Sequence, residues 1–181
     1  MKRFIIALAA TVIGTVSVHA ESNFDGLYAG AAGGYGKVDA DVVEDSAFSG
    51  SAFAGYGATF GKVYLGAEAE AGLNGAELSS GGVSIEQKWN YGANARLGYV
   101  VSPKVLAYGL AGWQRAELEA TDGTDTVDAT ADGLKFGIGG ETFIRENLTA
   151  RSELTYTDWK GKDGAPDATE IKTTFGLAVR F

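Results

Sequence analysis

Histidine and cysteine carry much of the acid–base, nucleophilic and metal chemistry available near neutral pH. This chain has one histidine, His19, and no cysteine. Because His19 lies in an N-terminal stretch expected to be removed, the remaining chain has no Ser-His-Asp or Cys-His arrangement and no common His- or Cys-based zinc site. Ser79, Ser80 and Ser84 therefore lack a base. Two carboxylate pairs could in principle do general acid–base work, Glu68 with Glu70 and Asp125 with Asp128. The first pair is more simply matched by Arg96 and Arg151, and the second sits in an acidic stretch that reads as solvated. Asp122, Asp125 and Asp128 offer oxygen ligands for Ca²⁺, but their spacing of three does not fit an EF-hand loop. The run Gly33-Gly34-Tyr35-Gly36 has no phosphate-loop lysine and lies in a predicted strand. The expectation is a protein with no catalytic residue, no metal site and no cofactor.

The elements that would position any site begin after residue 20. Lys2 and Arg3, the apolar stretch Phe4 to Val16, and the small residues of Val18-His19-Ala20 have the three-part layout of a secretory signal peptide. Ser17, His19, Glu21 and Asn23 interrupt the run before the ~20 apolar residues a transmembrane helix needs. The expected division is a signal peptide over 1–20 and one domain over 21–181. Removing the leader leaves 13 basic against 23 acidic residues, a net charge of −10. That balance argues against nucleic acid as a partner, which selects a basic face.

Glycine is abundant at 27 residues and proline scarce at two, while aromatic and β-branched residues recur in short runs, a mixture that suits strands. Strand side chains alternate between faces with period two. Ile171, Thr173, Phe175, Leu177, Val179 and Phe181 fall on one face, and Lys172, Thr174, Gly176, Ala178 and Arg180 on the other. The segment from Val63 to Asn74 splits likewise, with Glu68 and Glu70 on its glycine-bearing face. So do the segments starting at Trp89, Leu134 and Leu148, which put Arg96, Lys135, Glu141, Arg151 and Glu153 on the face with small residues. Three further segments have small residues on both faces. In them Leu27, Ala29, Ala31 and Tyr35, then Ala52, Ala54, Tyr56 and Phe60, then Leu106, Tyr108 and Leu110 are assigned outward.

Connections alternate between short and long. Gly61-Lys62, Val101 to Lys104 and Arg145 to Asn147 read as tight turns, whereas Lys37 to Phe48, Gly75 to Val83, Glu119 to Asp132 and Gly161 to Thr169 read as longer polar loops. Three short turns at one end and four long loops at the other predict an all-β fold, an eight-stranded antiparallel up-and-down transmembrane β-barrel. Phe24, Tyr28, Phe60, Tyr64, Trp89, Tyr91, Tyr99, Tyr108, Trp113, Tyr156, Trp159 and Phe181 would form its two aromatic girdles.

The runs Tyr64-Leu65-Gly66-Ala67-Glu68, Ala95-Arg96-Leu97-Gly98-Tyr99, Gly139-Gly140-Glu141-Thr142-Phe143 and Ala150-Arg151-Ser152-Glu153-Leu154 resemble the transmembrane domain of outer-membrane protein A. The wider pattern resembles the porin-like and opacity-like barrels of Gram-negative outer membranes. The resemblance implies that Glu68, Arg96, Glu141 and Arg151 match the charged cluster that blocks or gates the lumen, with Glu70, Lys135, Glu153, Lys172 and Arg180 joining or flanking it. It also implies that the ending Phe175, Leu177, Val179 and Phe181 is the terminal signal read by the barrel-assembly machinery. The larger relative carries a peptidoglycan-binding domain after its barrel, and no such tether is expected here, since the chain stops at Phe181.

The expected protein is a non-enzymatic structural barrel of the outer membrane that supports envelope integrity. Its partners are outer-membrane lipid, the assembly machinery, and an extracellular ligand at the loops. The alternative is a narrow porin-like pore, which the tight lumen and its opposed charges disfavour.

Overall fold

The computed structural model describes residues 23–40, 43–74, 77–80, 83–122, 125–162 and 167–181. The leader assignment, residues 1–20, lies outside them. Nine strands follow one another: β1 (Gly26–Ala40), β2 (Val43–Phe60), β3 (Val63–Asn74), β4 (Glu77–Ser80), β5 (Val83–Ser102), β6 (Val105–Asp122), β7 (Asp125–Phe143), β8 (Leu148–Lys162) and β9 (Ala168–Arg180). Consecutive strands pair antiparallel, as short connections dictate, except β3 and β4. Pairing of β1 with β9, from Tyr28 opposite Arg180 to Ala40 opposite Ala168, closes the sheet. The short β4 pairs only with the outer end of β5, and β3 pairs directly with β5, so the closed barrel has eight strands. A closed barrel leaves no unpaired strand edge, and an eight-stranded one is just wide enough for side chains to fill.

The short-turn end is built from local chemistry. Gly61 has φ of 68°, a left-handed conformation that glycine adopts without steric cost, and with Lys62 it turns β2 into β3. Pro103 and Lys104 turn β5 into β6, and residues 144–147 turn β7 into β8. At the other end the described residues of the four segments expected as long loops are paired strand, apart from Asp167. Lys37 faces Ser46, Ala40 faces Val43, Glu119 faces Asp128, and Thr130 faces Lys162. Polar side chains do not prevent antiparallel backbone pairing, so the hairpins continue past the apolar zone as projecting ribbons.

The distribution of side chains is inverted relative to a water-soluble domain. Leu27, Leu65, Leu97, Phe136, Ile138, Leu154, Phe175 and Leu177 are exposed on the outside, while charged and amide side chains are buried within. The exposed apolar zone on β3 runs from Val63 to Leu73, which at ~3.3 Å per residue and the usual barrel tilt is roughly 25 Å of membrane. It ends in an upper girdle of Tyr35, Phe48, Trp89, Tyr91, Trp113 and Tyr156, and in a lower one that includes Phe60, Tyr99 and Phe181. Just beyond Trp113, the outward Arg115 binds Asp132, which Lys162 also contacts.

Two sequence expectations need correction. Leu106, Tyr108 and Leu110 point inward, and Ala107, Gly109 and Ala111 of β6 point outward. The register shifts between Val100 and Ser102, where β5 and β6 meet, and the inward neighbours are glycines that make room. A Cβ added at Gly139 would lie 2.6 Å from the Tyr108 ring, and one at Gly98 would lie 2.9 Å from Leu106. Phe24, Tyr28, Tyr64, Tyr108 and Trp159 are likewise not girdle residues. All five are buried inside, because each lies on the inward phase of its strand or, for Phe24, folds under the lower mouth against Phe143.

Candidate functional site

The lumen is layered along the barrel axis. At the short-turn end Phe24, Tyr64, Leu106, Tyr108 and Leu110 pack into an apolar floor. At the hairpin end Ala116, Ala131 and Trp159 form an apolar cluster on β6, β7 and β8, with Ala168 of β9 against it. Charged residues fill the space between.

Glu68, Arg96, Glu141 and Arg151 come together in the lower part of that space, and Arg180 completes the group. Glu68 sits on β3, Arg96 on β5, Glu141 on β7, Arg151 on β8 and Arg180 on β9, so the cluster exists only when the sheet closes. Arg151 donates through Nη1 and Nη2 to the two Glu68 oxygens at 2.6 and 3.3 Å. Arg96 lies 3.5 Å from Glu68 and donates to Glu141 at 3.1 Å. Arg180 donates through Nε and Nη2 to Glu141 Oε1 at 3.0 and 2.9 Å. The result is an alternating chain of three cations and two carboxylates, all buried. Glu153, 3.8 Å from Arg151, supplies a third carboxylate.

Aromatic side chains complete this tier. The Arg96 guanidinium lies 3.8 Å from the centre of the Tyr108 ring, and that of Arg151 lies 3.3 Å from the Phe53 ring centre. Such stacking holds a delocalised cation without adding another charge. Arg96 also donates to the Tyr28 hydroxyl at 3.1 Å, and the Tyr108 hydroxyl donates to Glu153 at 2.7 Å. These tyrosines were missed as lumen residues. Tyr28 was findable, since it alternates with outward Leu27 and Ala29.

The upper tier is built differently. Lys135 donates to Glu70 at 2.5 Å, Asn94 donates to Glu70 at 3.2 Å, and Gln114 contacts the same carboxylate. Lys172 pairs with Glu170 at 3.4 Å, and Trp159 Nε1 donates to Glu170 at 3.3 Å. Between the walls lies a cavity of about 20 Å³ lined by Glu70, Asn90, Gln114, Lys135 and Lys172 among others, about the room of one water. Across both tiers, among the described residues, Glu68, Glu70, Glu141, Glu153 and Glu170 face Arg96, Lys135, Arg151, Lys172 and Arg180. Five negative charges meet five positive ones, so neither sign is in excess among them.

Phe175, Leu177 and Phe181 of the chain end are exposed on the outer face, with Val179 partly covered. Among the described residues no group of three Asp, Glu, His or Cys side chains is arranged to hold a metal ion. The side chains of Ser79, Ser80, Ser84, Asp122, Asp125 and Asp128 lie outside the described residues. On the hairpins, the Asp167 carboxylate accepts from Lys160 and from the Gly161 N–H. The Lys160 bond, then the Gly161 N–H, holds its pKa below the ordinary value.

Residues 6–181 match the family described as the outer membrane protein beta-barrel domain. A 22 kDa outer membrane protein of Rhizobium leguminosarum bv. viciae is 33% identical over 167 residues, covering 88% of this chain and 79% of that protein. A 25 kDa outer-membrane immunogenic protein of Brucella canis is 28% identical over 153 residues, covering 82% of this chain and 71% of that one. Among solved structures, Neisserial surface protein A superposes with a TM-score of 0.68 at 18% identity, covering 87% of this chain and 98% of that chain.

Proposed function

This chain belongs to the outer membrane protein beta-barrel domain family, and from that premise we propose that it is a sealed, non-enzymatic structural barrel supporting envelope integrity. One observation carries the reading: the alternating chain Arg151, Glu68, Arg96, Glu141 and Arg180 spans the lumen above an apolar floor. A conducting path needs a continuous wet channel, whereas here neighbouring charges neutralise one another and arginines stack on rings. Glu68, Arg96, Glu141 and Arg151 act in this reading as the lumen plug. Residues 1–20 act as the export signal and 21–181 as the barrel.

The projecting hairpins give the protein its binding capacity. They extend the rigid sheet beyond the membrane, and exposed segments on a rigid scaffold are where recognition usually resides. The Brucella canis relative is named an immunogenic protein, which supports hairpins accessible from outside. The exposed Phe175, Leu177 and Phe181 on the last strand support a role for that strand as the signal read by the assembly machinery.

Planar-bilayer recording of the refolded protein tests the sealed lumen. Wild type is expected to be silent. A steady conductance that Glu68→Gln or Arg151→Ala alters would overturn the plug in favour of a narrow porin-like pore.

A further inference from the structure

We propose that the outer wall of the barrel carries a groove that binds an anionic glycerophospholipid of the periplasmic leaflet. The argument starts from the glycines. Those facing the lumen are required by packing, since a Cβ at Gly57, Gly98 or Gly139 would lie within 3.0 Å of a Tyr64, Leu106 or Tyr108 side-chain atom. Gly109 and Gly140 differ. An added Cβ would meet nothing closer than a backbone oxygen at 3.7 Å for Gly109 and at 3.9 Å for Gly140. The fold would accept a side chain at either position, as it would at the paired outward Gly33 and Gly50; what distinguishes Gly109 and Gly140 is the apolar depression they open beside Lys62.

The two glycines lie in adjacent cross-strand rows. One row runs Val63, Tyr99, Ala107, Gly140, Ser152, and the other runs Leu65, Leu97, Gly109, Ile138, Leu154. Ala107, Gly109, Gly140 and Ser152 make the floor of a groove whose walls are Leu97 and Tyr99 on one side and Ile138 and Leu154 on the other. It is a shallow depression of about 940 Å³, open to the lipid, with room for an acyl chain to lie along the wall. The groove occupies the half of the wall nearest the short turns, which in this class of barrel face the periplasm.

Charge selects the occupant. Lys62, in the β2–β3 turn, places its ammonium 5.8 Å from the centre of the Tyr99 ring, at the groove's lower edge. Lys104 is exposed in the turn that opens β6, three residues and so about 10 Å before Ala107. Among the described residues neither lysine has a carboxylate partner. An apolar groove ending at two unpaired cations at the membrane surface complements a lipid with an apolar tail and an anionic head. A second copy of the chain fits less well, because twofold packing at this groove would bring the lysines toward their own counterparts.

The test uses the full chain folded into phosphatidylcholine nanodiscs that contain a minor fraction of spin-labelled phosphatidylglycerol or spin-labelled phosphatidylcholine. The readout is the motionally restricted lipid component. The wild type is expected to restrict phosphatidylglycerol preferentially. Lys62→Gln and Lys104→Gln should each weaken phosphatidylglycerol at this site by roughly fivefold, while Gly109→Val with Gly140→Val should abolish the preference and leave the unselective lipid shell of the wall. Heat-dependent gel mobility establishes that each variant is folded. Equal restriction of the two lipids by wild type, or an unchanged preference in the glycine variant, would overturn the proposal. So would loss of a cross-linkable dimer in that variant without loss of the preference, which would assign the groove to self-association.

Discussion

In the lower tier of the lumen three arginines meet two shared glutamates. In the upper tier Glu70 pairs with Lys135 and Glu170 with Lys172, with amides or an indole as further donors. Arginine offers five donors in a planar fork, so one guanidinium can bridge two carboxylates and stack on a ring at once. Arg96 does this with Glu68, Glu141 and the Tyr108 ring. Lysine offers a compact charge without a stacking face, and the tier built on it keeps a cavity with room for about one water. The difference separates a tightly interlinked plug from a looser polar layer, and it predicts unequal sensitivity to mutation.

The largest effect should follow from Glu68→Ala. That change leaves Arg151 without its two-pronged partner and Arg96 without one of two, in a buried site. Loss of a buried partner of this kind costs about 3–5 kcal/mol, to be read as a lowered urea midpoint for the folded barrel in detergent micelles. A loss below ~1 kcal/mol would mean that the lower tier rearranges freely and would break the comparison.

Lys135→Met in the upper tier should cost less, about 1–3 kcal/mol. Glu70 retains Asn94 and Gln114, and the adjoining cavity offers room for solvent to replace the lost donor. Measured by the same unfolding midpoint, a loss equal to that of Glu68→Ala would erase the distinction between the tiers.

The smallest effect belongs to the exposed hairpin pair of Asp167 and Lys160, which sets the baseline for an ion pair in water. The Asp167 carboxyl is held below its ordinary pKa, first by Lys160 and then by the Gly161 N–H. Its contribution is therefore complete above about pH 4 and is lost as the pH falls through the folded value. Lys160 is raised, first by its bond to Asp167, so its share is lost only in strong alkali. Melting temperatures of wild type and Asp167→Asn should run parallel from neutral pH down to about pH 5 and converge below pH 4. A separation that widens in acid would assign the stabilisation to other groups.

Where strands alternate cleanly, the sequence is a direct reading of the faces. Ile171 to Phe181 and Val63 to Asn74 put large apolar side chains on one phase and charges on the other, because one face meets lipid and the other a narrow polar interior. That phase places Glu68, Arg96, Glu141 and Arg151 inward before any coordinates are considered. β6 resists the same reading, since Leu106, Tyr108 and Leu110 are large and apolar yet turn inward. The space they fill is defined by glycines on β5 and β7 that are distant in sequence. The hairpin ends were misread for another reason: their polar composition describes their solvent, while backbone pairing is indifferent to it.

By itself, the sequence determined the all-β class, the eight strands of the closed barrel and the inward phase of the charged residues. Period-two alternation and turn chemistry are local properties of the chain. Only the tertiary structure decided which arginine meets which glutamate, which aromatics leave the girdle for the lumen, and that Gly109 and Gly140 share one groove with Lys62 at its edge. Those contacts join four or five strands at once, and their partners are fixed by the closure of the barrel and the register of its sheet.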